Sequence, residues 1–278
     1  DQMLDSPTNN FPTFNALRPS HPTLWEGNLL TETSTNTISR SVDTNWQPTT
    51  GKWYVEVYIK VDGDNSGQNA THVGVANYGY PLAGNEFKGH ENGVSYCMDG
   101  QKHIDETASS YGATYATGDV IGIAYDVDND NITFYKNGAS QGELTSGFDL
   151  SNGRVIVVTN SSTATGQRYG VNFGQDSTFA GEKTAGGNQD ANDIGDFLYA
   201  VPTGYLALCT SNLPDVAVNP SEYFSAFIYD DGAGAKDIGF QPDIVWFKSR
   251  GSSYEHELVD SVRGVTKALS PDSAVHES

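Results

Sequence analysis

The feature that most constrains this 278-residue chain is the length and spacing of its apolar runs. Gly51-Lys52-Trp53-Tyr54-Val55-Glu56-Val57-Tyr58-Ile59-Lys60 alternates side chains about a core of β-branched and aromatic residues. His72-Val73-Gly74-Val75-Ala76, Gly93-Val94-Ser95-Tyr96-Cys97 and Val120-Ile121-Gly122-Ile123-Ala124-Tyr125 follow, then Ile132-Thr133-Phe134-Tyr135 and Arg154-Val155-Ile156-Val157-Val158. Each run has the length of a strand, and clusters of Gly, Asn and Asp separate them. No segment of helical length holds a 3.6-residue period. The pattern predicts an all-β chain built around an antiparallel β-sandwich. Asp126-Val127-Asp128-Asn129-Asp130-Asn131 reads as the hairpin turn joining the Ile121 and Ile132 strands.

Composition shifts divide the chain. Residues 1–23 carry prolines without a period and read as an extended N-terminal anchoring arm, ordered by seating Phe11, Phe14 and Leu17 on a neighbour. Residues 24–180 hold the strand-like runs of the sandwich. Residues 181–196 are almost free of apolar side chains and read as a linker. Residues 197–278 resume with runs at 204–209, 223–229, 243–248 and 257–260, a second and smaller β module. The polar stretch from Ser270 to Ser278 supplies no closing strand, and a small sheet with an open edge is a poor independent domain. This module is therefore expected to be partial, completed by more chain or by a neighbour. The absence of an initiator Met adds the expectation that the chain is a piece of a longer product.

With 35 acidic against 15 basic residues the net charge is −20. That balance disfavours nucleic acid, whose phosphates require clustered Lys and Arg, and an anionic membrane surface. No apolar run reaches the length of a membrane-spanning helix. Cys97 and Cys209 lie far apart, outside any C-x-x-C pair and without a His at metal-ligand spacing, so both are expected to be small buried residues. No metal and no cofactor is expected.

Four segments, in order, resemble a SPRY (B30.2-like) domain. Gly51-Lys52-Trp53-Tyr54-Val55-Glu56-Val57 is similar to that family's early strand, and His72-Val73-Gly74-Val75-Ala76 to the strand that follows it. Gly118-Asp119-Val120-Ile121-Gly122-Ile123-Ala124-Tyr125-Asp126, continued by Ile132-Thr133-Phe134-Tyr135-Lys136-Asn137-Gly138, resembles its "G-D-x-I-G … F-x-x-N-G" hairpin. Asn172-Phe173-Gly174-Gln175 resembles its closing strand. The resemblance implies a bent two-sheet sandwich of the concanavalin-like type and a binding module without catalytic residues. The flanks, Val201-Pro202-Thr203-Gly204-Tyr205 and Gly239-Phe240-Gln241-Pro242-Asp243-Ile244-Val245-Trp246-Phe247-Lys248, resemble segments of bacteriophage virion proteins. That second resemblance implies a fibre or appendage protein on an extracellular phage particle. Its partners would be other virion proteins and a host-surface glycan or protein. A homo-oligomer is expected, with a trimer favoured.

His256 stands close in sequence to Asp260 and Ser261, but no G-x-S-x-G elbow accompanies them, so no triad is expected. Glu56 is an acid in the middle of an apolar strand, and the SPRY resemblance implies a partnered scaffold role for it. A polysaccharide hydrolase, which needs two facing carboxyls, is the runner-up reading, and a purely structural head decoration or spacer the third. Asp126, Asp128 and Asp130 open like a calcium loop but lack Gly and Glu at the defining positions, so turn chemistry is expected. For ligand contact, Tyr78 and Tyr80, with Phe87 and His90 beyond them, place rings on a Gly-rich loop.

Overall fold

A computed structural model describes residues 6, 9–17, 23–32, 40–62, 71–76, 93–105, 107–151, 153–159, 166–214, 218–229 and 234–274. The chain forms two compact units, Asp1–Leu213 and Pro214–Ser278.

Strands are numbered in chain order. In the first unit one sheet runs β1 (Thr23–Trp25), β2 (Leu30–Glu32), β13 (Arg168–Asn172), β4 (Lys52–Val61), β9 (Val120–Asp126), β10 (Asn131–Lys136) and β11 (Ala139–Leu144). The second sheet runs β3 (Arg40–Asp43), β12 (Arg154–Thr159), β5 (His72–Ala76), β6 (Gly93–Cys97), β7 (Gln101–Ile104) and β8 (Thr107–Ser110). Each pair along these two paths is antiparallel, and side chains from both sheets share one core, including Val55, Val57, Val73, Val75, Tyr96 and Ile123. The expected β-sandwich is the observed fold.

Asn137-Gly138 explains why the hairpin motif is written as it is. Both residues take positive φ (49° and 80°), which a two-residue turn between Lys136 and Ala139 requires. The Asn137 side chain also accepts the Val120 amide at 2.8 Å and donates to Asp119 at 2.7 Å, so it ties the turn to the start of β9.

The central strand β4 is buried on both faces from Trp53 to Ile59, which an exposed-face strand would not be. Its second face is covered by chain beyond β13. Phe179 packs against Tyr58 with ring centroids 5.4 Å apart, and Phe197 against Tyr54 at 5.2 Å. Where β13 leaves β4 at Asn172↔Glu56, β14 (Leu206–Ala207) pairs with Trp53 and Tyr54 in parallel. Residues 181–196 are therefore not a linker, and the boundary expected at 196/197 lies at 213/214. The segment is a strap, held by carboxylates that sequence periodicity does not register. Asp190 accepts the amides of Asn192, Ile194 and Ala207 and the Asn212 side chain, and Asp196 accepts those of Ser177 and Gly187.

The arm is also corrected. Phe11 and Phe14 belong to this chain's own core, with Phe14 1% exposed, rather than anchoring on a neighbour. The Phe14 amide donates to the Asn28 carbonyl and the Asn15 amide to that of Asp43, so the arm bridges the two sheets at one edge. Leu17, the third expected anchor, is 93% exposed.

In the second unit the described residues form one two-stranded antiparallel sheet, β15 (Ile244–Phe247) with β16 (Glu257–Asp260), and a single bridge from Leu258 to Leu269. The apolar run at 223–229 is not a strand: among the described residues nothing pairs with it, and its rings are exposed.

Candidate functional site

Tyr78, Tyr80, Phe87 and His90 lie outside the described residues. The base of their loop is described. Ala76 ends β5 and Gly93 begins β6, and the two are direct cross-strand partners, so the 77–92 connection leaves and re-enters one end of the second sheet. Arg154 pairs with Ala76 on the other side, and Val94 pairs with Ile104 at the end of β7. The turns at 105 and 151–153 therefore emerge at that same end. A sheet edge carrying several connections is where a rigid sandwich presents its recognition loops.

Glu56 occupies the opposite kind of environment. It is 0% exposed, and its two oxygens take four donors: the Leu198 amide (2.9 Å), the Tyr199 amide (2.8 Å), Asn172 Nδ2 (3.2 Å) and the Tyr54 hydroxyl (3.4 Å). Burial raises its pKa from 4.5 to about 7, against the lowering effect of those hydrogen bonds. This carboxyl fastens the strap to β4 and is shut away from substrate. Asn172 completes the junction by accepting the Gly174 and Asp176 amides, which shapes the Asn-Phe-Gly-Gln corner.

The remaining candidates are dispersed. His256 Nδ1 accepts Trp246 Nε1 at 3.0 Å and its amide donates to Asp272, whereas Asp260 is engaged by Arg263 and the Ser261 hydroxyl donates to Asp243. No triad is assembled from these three residues. Asp126 takes Lys52 Nζ at 2.8 Å, Asp128 takes the Gly51 amide and Asp130 takes the Leu150 amide, so each acid has its own partner and the three do not converge on one point. Cys97 and Cys209 are both buried free thiols, and burial pushes the Cys97 thiol up to about 12.

One grouping was missed by sequence reasoning. His72, Cys97 and His103 come together from β5, β6 and β7, with one potential ligand atom from each lying within 4.8 Å of the others. Their separations in sequence match no metal motif. Only strand register unites them, since His72 faces Cys97 and Ser95 faces His103 across neighbouring strands.

Fold and site together define an antiparallel β-sandwich whose polar junction at Glu56 is sealed and whose second sheet has three connections at one end. Comparison with known proteins is specific for the sandwich: residues 52–176 match the SPRY domain family. Residues 219–278 match a second family, described as a domain of unknown function (DUF7483). The E3 ubiquitin-protein ligase RKP of Arabidopsis thaliana is 30% identical over 126 residues, which are 45% of this chain and 9% of the ligase. This chain thus spans less than a tenth of that relative. Among solved structures, a human SPRY domain is similar at 19% identity and a TM-score of 0.43, over 53% of this chain and 92% of that one. The SPRY domain of human HERC1 is similar at 18% identity and a TM-score of 0.45, over 53% and 90%, and the PSpry domain of TRIM65 at 15% and 0.45, over 58% and 92%.

Proposed function

We propose that this chain is a non-catalytic binding protein whose SPRY sandwich presents the 77–92 loop and its neighbours to a protein or surface-glycan partner. We place it in a bacteriophage fibre or appendage, where it serves assembly and host recognition. The observation that carries the binding reading is the sealed Glu56: the one acid on the central strand holds the strap and faces no cleft. Ligation is not carried over from RKP, because the match covers so little of that protein. The virion setting is supported by the resemblance of the flanking segments. We propose a homo-oligomer, a trimer, and self-association is supported by the second unit, where Phe224, Ile228, Trp246 and Tyr254 are more than half exposed and another copy would remove that apolar surface from water.

The test is immunogold labelling of intact phage particles with antibody to the full chain, with adsorption of labelled chain to host cells measured alongside. Gold on an outward appendage, and adsorption lost in the Tyr78→Ala/Tyr80→Ala double variant, are expected. Chain found only in lysates, with none on particles, would overturn the virion assignment. Unchanged adsorption by the double variant would overturn the loop assignment, and soluble sugar released from host polysaccharide would overturn the non-catalytic reading.

A further inference from the structure

The geometry points to a metal site of one thiolate and two imidazoles, formed by His72, Cys97 and His103 on the second sheet, that takes a borderline-soft divalent ion of the zinc class. The three donors come from adjacent strands and project from one sheet face. Directly opposed residues in an antiparallel pair share a face, as do residues two apart in a strand, which places His72, Cys97, Ser95 and His103 together. Val73, Val75, Val94 and Tyr96 alternate with them and fill the inter-sheet core. Cys97 itself also packs into that core and His72 is 1% exposed, so the cluster is buried.

Distances suit a site that closes on its ion. The ligand atoms lie within 4.8 Å of one another, and donors around a tetrahedral zinc stand about 3.3–3.7 Å apart, so approach by about 1 Å through side-chain rotation completes it. The imidazoles of His72 and His103 are already in contact, with ring centroids 4.7 Å apart and planes at 80°. Ser95 Oγ lies 3.2 Å from His72 Nδ1 and is placed to hold that ring's orientation, as outer-shell partners of metal ligands do. Donor chemistry selects the ion: sulfur and imidazole nitrogen suit zinc, whereas calcium and magnesium take oxygen. His72 and Cys97 are fully buried and His103 is 9% exposed, so His103 marks the side from which an ion enters.

On binding, the Cys97 S–H bond breaks, its proton goes to solvent and a sulfur–metal bond forms. Two neutral imidazoles add their lone pairs, leaving a site of charge +1 with a fourth position for water. The ion would staple β5, β6 and β7. Two of these strands carry the 77–92 loop at their other end, so the metal would stiffen the base of the proposed recognition loop. The site itself stands independently of that proposed function.

Cobalt(II) titration of the reduced, metal-free full chain tests the assignment. A thiolate-to-cobalt charge-transfer band saturating at one equivalent is expected, bleached by added zinc. The Cys209→Ser variant should keep the band and Cys97→Ser should lose it. His103→Gln should weaken zinc affinity by more than the roughly 10–100-fold that losing an outer-shell partner alone brings. It should also abolish the zinc-induced rise in melting temperature. Absence of the band in the unaltered chain, or its survival in Cys97→Ser, would overturn the site. If Cys97→Ser does not fold, His103→Gln decides: an affinity and a zinc-induced melting shift equal to those of the unaltered chain overturn the assignment.

Discussion

Replacing Glu56 by Gln isolates the one buried acid that ties the strap to the central strand. Burial raises its pKa from 4.5 to about 7, so the folded protein holds this proton more tightly than the unfolded chain does. Below the unfolded value both states are protonated and the contribution to stability is fully present. As pH rises toward 7 the unfolded chain gives up its proton first, so stability falls with pH through this window. At about 1.4 kcal/mol per tenfold change, the rise from 4.5 to about 7 is worth ~3 kcal/mol between mildly acid and mildly alkaline solution.

Gln keeps the size of Glu and removes the titration. It presents an amide nitrogen to one of the two backbone donors, Leu198 or Tyr199, and leaving a buried donor unmet costs about 1–3 kcal/mol. Glu56→Gln is therefore less stable than the unaltered chain near pH 4.5 and equal or more stable near pH 8. Urea midpoints at pH 4.5, 6 and 8 measure the difference, with other titrating groups common to both chains. Carboxyl-carbon NMR of labelled glutamate should show a resonance titrating near 7 that the variant lacks. A stability difference independent of pH, together with no such resonance, would refute the reasoning.

Phe14→Ala should lower stability by about 3–5 kcal/mol by leaving a cavity, whereas Leu17→Ala should stay within ~0.5 kcal/mol; equal small losses in thermal denaturation would contradict the packing of the arm. Asp190→Ala strips an acceptor from three backbone amides and Asn212, and should cost at least ~2 kcal/mol and expose 181–213 to limited proteolysis. Undiminished protease resistance there would count against the strap. Added calcium should leave the melting temperature unchanged, because Asp126, Asp128 and Asp130 serve Lys52, Gly51 and Leu150; a clear rise would sink the turn reading.

The sandwich strands were legible because length, β-branched content and turn residues agree at each one, and the Asn137-Gly138 turn states its own geometry. The strap was not. Its contribution rests on isolated residues such as Phe197 and Leu208 set among polar turns, and on side-chain carboxylates that satisfy backbone amides. Neither leaves a period in the sequence. Phe11 and Phe14 stand out in the sequence as anchors, but what they anchor to depends on where 28 and 43 lie in space. The 223–229 run shows the reverse failure, since apolar β-formers without a partner strand do not make a strand. Cys97 read as inert for the same reason: its histidine neighbours are brought to it by register across three strands.

The family match and the physical unit have different limits, and the difference matters for how the binding surface is read. The match covers 52–176, yet the core of the first unit also takes Phe11, Phe14, Phe197, Ala207, Leu208 and Cys209. The two additions meet: the Asn10 amide donates to Thr210 Oγ1 and the Thr210 amide to the Asn10 carbonyl. The C-terminal addition closes over the face of β4 that carries Tyr54, Glu56 and Tyr58, through Phe179, Phe197 and the Leu198 and Tyr199 amides. That part of the first sheet is consequently covered by the chain's own residues 179–199. Cutting the chain at the match would bare these side chains and strand the Glu56 carboxyl without its backbone donors. The partner is proposed to dock instead at the end of the second sheet marked by Ala76 and Gly93, where the 77–92 connection leaves and returns.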